Sequence, residues 1–402
     1  MKIIVQKFGG TSVRNEENRM HALKHVSDSI QQGYKVIVVV SAMGRLTEPY
    51  ATDTLLNLVN KNKLPRRETD LLISCGEIIS TVVFTNMLLE NNISAISLTG
   101  AQAGFYTNNN FSNAKILQMR TERLLNELEK HDCVVVAGFQ GANGKGDITT
   151  LGRGGSDTSA AAMGAAVNAE YVDIFTDVDG ILTADPNVYA NAFKLNTLSY
   201  FDVCQMAYQG AKVIHPRAVE IAKQAQIKLR IRSTKQMDEG TIVCGKAQDF
   251  TISSYITGIA HMNNLAHVRI IPKKNEYHLS KKVFKLMAQL DVSVDFIHVF
   301  PTGIAYTIHE DQVDLVNSKM VELGLEPIIQ KKCSIISVVG QKINQIPGIT
   351  AKMLSTLTDN SISILQSSES ESFIRFLVNS DQLKTAIKVL HEEYLSKRVE
   401  EE

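Results

Sequence analysis

At 402 residues the chain exceeds what one hydrophobic core ordinarily organises, which predicts two to four domains of roughly 100–200 residues each. Lysine plus arginine and aspartate plus glutamate both number 42, so the formal charge is zero and the one-sided basic field of sequence-independent nucleic-acid binding is excluded. With 44% hydrophobic and 21% charged residues the composition is that of a globular protein and leaves little room for extended disorder.

The N-terminal MKIIVQKFGG enters an apolar strand at once, without a long apolar leader or cleavage site, and no run approaches the ~20 apolar residues of a membrane span. A cytoplasmic protein without membrane partners is expected. Up to about residue 235 one pattern repeats: a short β-branched run, a turn rich in Gly, Ser or Thr, then a helical stretch. The runs are Lys2 to Val5, Lys35 to Val40, Ile93 to Leu98, Cys133 to Ala137, Tyr171 to Phe175 and Lys228 to Ile231. Continuous apolar runs mark strands buried on both faces of a mainly parallel sheet, with ligands beyond the carboxyl ends of the strands. The cysteines Cys75, Cys133, Cys204, Cys244 and Cys333 are scattered without CxxC spacing, which argues against a disulfide framework or a zinc site.

The segments after these runs carry the candidate chemistry. KFGGTS, Lys7 to Ser12, sets a lysine beside paired glycines that let the backbone approach a phosphate, although a tight turn alone would also explain it. SCGE places Glu77 behind Gly76 at the start of a helix, where a surface charge is the plain reading. GANGKGD, Gly141 to Asp147, lacks the spacing of a Walker A loop and reads as a surface turn. In LGRGGSDTSAAAMGAA, glycines crowd around Arg153, and Ser156 or Asp157 can cap an alanine-rich helix. Such a helix points its positive end at an anion, and arginine grips a carboxylate or phosphate with two hydrogen bonds. TDVDGILTADPN, Thr176 to Asn187, is either a simple connection or a nucleotide-base and ribose loop, and GAKVIHPRA sets Lys212 two residues past Gly210.

From Lys235 to Ser254 the periodic pattern lapses, which places a domain boundary near the end of that stretch. Beyond it Val292, Ser293 and Val294 recur as Ile362, Ser363 and Ile364, Tyr306 as Phe376, and Asp311-Gln312-Val313 as Asp381-Gln382-Leu383, each 70 residues on (362 − 292, 376 − 306, 381 − 311). A duplicated α+β unit follows, with two small sheets and helices on one face of each.

KFGGTS, SAMG (Ser41 to Gly44), SCGE, GRGGSDTSA, TDVDGILTADP and GAKVIHPRA, in this order and spacing, resemble the aspartate kinases of the amino-acid kinase superfamily over essentially the whole chain. SAMGRLTEPYATD is most similar to the diaminopimelate-sensitive type I enzymes of bacilli. The resemblance implies an α/β fold: a three-layer αβα kinase domain over residues 1–250, then two ferredoxin-like ACT domains. The first, 263–331, would be inserted into the second, 251–262 plus 332–402.

The implied reaction moves the γ-phosphoryl group of ATP, with Mg²⁺, to the β-carboxylate of L-aspartate, at the head of lysine, diaminopimelate, threonine and methionine biosynthesis. Lys7, Asp157 and Lys212 are the implied catalytic groups. ATP would be held by Lys7, Phe8, Gly9, Gly10, Thr11, Ser12, Thr176, Asp177, Leu182, Asp185 and Lys212. Aspartate would be held by Ser41, Thr52, Glu77, Arg153, Gly154, Gly155 and Ser156. An amino-acid effector (diaminopimelate, lysine or threonine) would meet Ser293, Val294, Asp295, His298, Ile362 and Ser363, in a homodimer joined through the ACT domains.

Three positions depart from the family pattern: Asn187 stands where TADPR is usual, His298 lies near a usual glutamine, and Gln366 to Glu369 replace a STSE-like stretch. Rival readings are another kinase of the superfamily and a catalytically silent amino-acid sensor.

Overall fold

The computed structural model describes residues 1–61, 63–211, 213–245, 255–272 and 278–396. Contacts divide them into two units: one of Met1–Ile181, Lys194–Tyr208 and 213–245, the other of Leu182–Phe193, Gln209–Ala211 and the described residues from 255 on.

In chain order the first unit runs β1 (Ile3–Phe8), α1 (Glu16–Gln31), β2 (Lys35–Val40), α2 (Thr52–Leu56), α3 (Arg66–Glu90), β3 (Ala95–Leu98), β4 (Phe105–Thr107), β5 (Ile116–Met119), α4 (Glu122–Lys130), β6 (Cys133–Ala137), β7 (Gln140–Ala142) and β8 (Ile148–Thr150). It continues with α5 (Gly155–Ala166), β9 (Val172–Thr176), β10 (Thr197–Ser199), α6 (Tyr200–Tyr208), α7 (Pro216–Ala225), β11 (Leu229–Ser233) and β12 (Thr241–Cys244). All six apolar runs become strands of one sheet, ordered β10-β12-β11-β9-β1-β2-β6-β3, in which those six are parallel. β12 turns antiparallel against β11, and β10 runs with β12. Neither carries a long apolar run, so periodicity passes over them. Val36 to Val40 and all of β6 are buried, as strands covered on both faces must be.

β1 has β2 on one side and β9 on the other, so successive connections leave it in opposite directions. Such a switch point opens a crevice at the carboxyl ends, here after Phe8, Val40, Thr176 and Ser233. On one face α1 and α3 close over Ile4, Phe8, Val38 and Val40 with Leu23, Val26, Phe84 and Leu88. The alanine-rich composition of α5 lets it lie close to the sheet: a Cβ on Gly164 would come within 2.2 Å of Val172 Cγ2.

Among the described residues α3 is long and apolar enough to cross a membrane. Its buried face carries Ile73, Gly76, Glu77, Phe84 and Leu88, which makes it the central helix of this unit. It also corrects the reading of Glu77, which lies in the middle of the helix and not at its start. The helix begins directly after Pro65, a residue favoured at such boundaries.

The second unit comprises β13 (Ile256–Ile270), α8 (Leu279–Gln289), β14 (Asp295–Phe300), β15 (Gly303–His309), α9 (Val313–Glu322), β16 (Ile328–Gly340), α10 (Ile349–Asp359), β17 (Ile364–Glu369), β18 (Phe373–Asn379) and α11 (Leu383–Tyr394). The duplication is plain in the boundaries: α8 and α10, and likewise β15 and β18, begin 70 residues apart (349 − 279, 373 − 303). The two expected sheets are instead one ladder, β14-β15-β13-β16-β18-β17. β13 and β16 are long enough, at 15 and 13 residues, to serve both halves. Ile256 to Met262 pair with the end of β16, and Leu265 to Ile270 pair with β15 and the start of β16, with register shifts between. The ladder curls until its ends meet, because Gln366 of β17 donates to Phe296 O of β14 at 2.7 Å. Phe296, Cys333, Ile335 and Leu377 fill the space enclosed.

Candidate active site

Lys7, next to last in β1, holds its Nζ 2.7 Å from Asp157 Oδ1, both side chains only 12–14% exposed. Asp157 stands in the first turn of α5, and its other oxygen accepts the His215 amide at 3.3 Å. The expected side-chain cap is absent. Gly154 is the N-cap, at φ 65°, and neither Ser156 nor Asp157 caps the helix. A left-handed entry suits glycine, and a Cβ on Gly154 would fall 2.2 Å from His215. The tight entry frees Asp157 to hold the lysine. First-turn amides have no intrahelical acceptor, so α5 presents N–H donors and its positive dipole end beside this ion pair.

The glycine turn is pinned by backbone. Gly10 O accepts Gly44 N at 3.0 Å, Phe8 O accepts Ser41 N at 3.1 Å and Ser12 N donates to Gly9 O at 2.9 Å. A Cβ on Gly10 would lie 2.6 Å from Ala42 O, so the KFGG and SAMG turns require glycine where they touch. Phe8 itself is buried, its ring stacked on Phe175 at 4.6 Å, so its side chain belongs to the core.

SAMG also meets α3. Glu77 is 2% exposed; its Oε1 accepts the Ala42 amide at 3.0 Å, while Oε2 has no hydrogen-bond partner among the described residues. Loss of hydration pushes the Glu77 carboxyl up to about 8 against the pull of the Ala42 N–H. Next to it Gly76 admits Ala42 Cβ, Tyr50 O and Leu55, which brings Ser41 and the start of α2 at Thr52 to the same wall. Arg153 is exposed and, among the described residues, has no ion-pair or hydrogen-bond partner. Lys212 lies outside the described residues.

A cavity of about 240 Å³ opens beside the glycine turn, lined by Thr11, Ser12, Thr176 and Asp177 together with Arg14, Asn18, Arg45, Thr234 and Lys235. Thr234 joins its walls: its hydroxyl lies 2.6 Å from Ser12 Oγ, its amide donates to Thr176 O at 3.0 Å, and its carbonyl meets His25 Nε2 at 3.0 Å. Burial and the charge of Arg232 lower His25 to about 4, so it is neutral there. Arg45 pairs with Asp177 at 3.2 Å. Sequence reasoning missed Thr234, although it follows β11 on the same carboxyl edge as the other turns. Among the described residues no three His, Cys, Asp or Glu side chains are grouped to hold a metal ion.

Leu182 and Asp185 fall in the second unit. Asp185 Oδ1 accepts both nitrogens of Asn187 at 2.9 and 3.0 Å, and nearby Ala184 and Tyr189 pack into that unit's core. Asp295 accepts Arg375 through both oxygens at 3.1 Å, with Arg375 stacked 4.7 Å from the Phe296 ring. Ser293 and His298 are exposed, and His298 packs edge-on to Phe300. Val294 is partly buried against its half's core, and Ile362 is buried in the other. Ser363 donates its amide to Gln382.

The amino acid kinase family profile matches residues 2–233, and the ACT domain profile matches 328–392. Aspartokinase 1 of Bacillus subtilis is 50% identical over 98% of both chains, and the aspartokinase of Geobacillus stearothermophilus is 36% identical over 98% of this chain and 97% of its own. The chain belongs to the aspartokinases. An E. coli aspartokinase III structure, in complex with aspartate and ADP, superposes with a TM-score of 0.78 at 25% identity, covering 97% of this chain and 99% of that one. The aspartokinase kinase profile thus spans β1 to β11 and takes in Lys7, Glu77, Arg153 and Asp157, whereas Thr234 and Lys235 lie just past its end.

Proposed function

We propose that the first unit transfers the γ-phosphoryl group of ATP to the β-carboxylate of L-aspartate, giving ADP and 4-phospho-L-aspartate. The observation that carries this reading is the Lys7–Asp157 pair facing a glycine turn and a helix N-terminus at the sheet's switch point. Aspartate arrives with its carboxylate ionised, so no general base is needed. The obstacle is charge: two unit negative charges ~3.5 Å apart repel by roughly 5 kcal/mol at an effective dielectric near 20. Lys7, Lys212 and the α5 dipole offset that repulsion as the carboxylate oxygen bonds to phosphorus and the bond to the ADP oxygen breaks. Asp157 aims Lys7. The donor chemistry fits a Mg²⁺ held chiefly by the nucleotide's own oxygens, where it would neutralise phosphate charge. Thr11, Ser12, Thr176 and Asp177 line the nucleotide side with Gly9 and Gly10.

Arg153 pairs with the α-carboxylate and Glu77 with the α-ammonium, leaving the β-carboxylate directed at ATP, with Ser41, Thr52 and the Gly154-Gly155-Ser156 entry completing the pocket. The kinase domain is assigned to 1–250 and the ACT pair to 263–331 and 251–262 plus 332–402. The ACT pair carries feedback by an amino-acid effector, with Ser293, Asp295 and His298 presented to it, in a cytoplasmic homodimer. The reaction opens the route to lysine, diaminopimelate, threonine and methionine.

ATP-dependent aspartyl hydroxamate formation, followed with ADP release, tests the activity; ADP release indifferent to aspartate would exclude it. The same assay with diaminopimelate, lysine and threonine, singly and combined, tests the regulation, and no inhibition by any of them would refute it.

Glu77 adds a pH signature. Its carboxyl must lose a proton to receive the ammonium, so the aspartate KM should fall as pH rises toward about 8. In Glu77→Gln the KM should be higher and should lose this slope. Stability should run the other way. Between 4.5 and about 8 the folded chain keeps a proton that the unfolded chain has lost, so the Glu77 contribution to stability falls as pH rises through that window. Chemical denaturation of the Gln variant at several pH values should show that fall removed; an unchanged pH dependence would refute the assignment.

A further inference from the structure

Asp70 sits on α3, fully buried, seven residues before Glu77. That spacing is two helical turns, so both carboxylates leave the same face of the helix. Among the described residues Asp70 has no ion-pair partner. Its Oδ2 accepts the amides of Ser112 and Thr150 at 2.8 and 2.7 Å, and its Oδ1 accepts their hydroxyls at 3.0 and 2.9 Å. Both oxygens thus accept from the same two residues, one on the loop between β4 and β5 and the other at the end of β8.

Thr150 lies three residues before Arg153, and the residues between are fixed in turn. Leu151 N donates to Phe139 O at 2.9 Å, and Leu151 O accepts Arg217 Nη1 at 3.2 Å. Gly152, at φ 76°, accepts Gly155 N at 3.0 Å, and a Cβ on it would lie 3.1 Å from Ser112 O. Arg153 is the first side chain of this stretch left without a partner among the described residues. A buried carboxylate on the helix that carries Glu77 therefore anchors the strand end that delivers Arg153.

We propose that Asp70 is the positioning residue that sets the two aspartate-binding groups, Glu77 and Arg153, in register with each other. The proposal rests on the reading of those two as substrate ligands. Asp70→Asn keeps an oxygen for the two amides but sets an NH₂ against the two hydroxyls, which must reverse to accept, and the charge-assisted character of all four bonds is lost. The aspartate KM should rise about tenfold while the ATP KM stays within about twofold, as expected when one substrate's ligands are displaced. Thr150→Val removes a single O–H and keeps the side chain's shape, so it should fold and raise the aspartate KM about threefold, the scale of one hydrogen bond. Thr150→Ser restores the hydroxyl and should restore the KM.

A purely structural Asp70 would lower the melting temperature and the active fraction in these variants and leave the aspartate KM alone; that result overturns the proposal. Arg153→Ala separates the two levels. An unchanged KM there refutes the substrate-site reading and the inference with it. A raised KM there, beside unchanged values in Thr150→Val and Asp70→Asn, refutes the role of Asp70 alone.

Discussion

Lys7→Met is expected to lower kcat for hydroxamate formation by about 10³-fold or more, beyond the usual cost of one transition-state donor. Methionine keeps much of the aliphatic length, so the packing of β1 against Phe175 and Asp173 neighbours in β9 should survive. What is lost is more than one positive charge. Asp157, held 2.7 Å from Lys7 Nζ and only 14% exposed, would be left without that ion pair at the point where the proposed mechanism passes the γ-phosphoryl group. Its negative charge then adds to the repulsion that the lysine had offset. The measurement is a kcat series for Lys7→Met, Asp157→Asn and the double variant. If the pair acts as a unit, the double variant should be no slower than Lys7→Met. A Lys7→Met enzyme with the wild-type rate would remove Lys7 from the mechanism.

Arg153→Ala should act on a different parameter. Arg153 has no partner within the described residues, so its removal should leave the melting temperature unchanged. Two charge-assisted hydrogen bonds to the α-carboxylate, as proposed for it, are worth enough together that the aspartate KM should rise about 100-fold, with the ATP KM unchanged. Arg153→Lys should recover little of this, because an ammonium cannot reproduce the planar fork. Steady-state kinetics with each substrate varied in turn decides the matter, and a wild-type aspartate KM in the alanine variant would show that the substrate lies elsewhere.

The parallel strands were legible because strands buried on both faces leave an unbroken run of β-branched residues, as Lys35 to Val40 and Cys133 to Ala137 do. The glycine turns were legible for a related reason. Gly10 and Gly154 stand where a side chain would collide with Ala42 O or His215, so the need for glycine is written at single positions. The 70-residue repeat was legible because each copy must bury the same helix face against the same strands.

Other features depend on residues far apart in the chain. Ser156 and Asp157 look like caps when only their neighbours are considered; Lys7, 150 residues earlier, is what engages Asp157 instead. Asp70 belongs to none of the motifs in the sequence, and its role follows only from Ser112 and Thr150 closing around it. Thr234 gains its place only when β1, β9 and β11 align side by side. The single curled ladder of the second unit likewise follows from β13 and β16 running through both copies, which a repeat offset cannot reveal.

The sequence by itself therefore determined the six parallel strands, the glycine turns, the duplication and, through its motifs, the family. These are encoded by local periodicity and by steric demands at single residues. The tertiary structure alone decided which charge meets which: Lys7 with Asp157, Asp70 tying a helix to a strand end and, among the described residues, Glu77 buried with one oxygen unpaired and Arg153 left free. Burial and pairing depend on distance in space, and distance in space is set only when the whole sheet and its covering helices have packed.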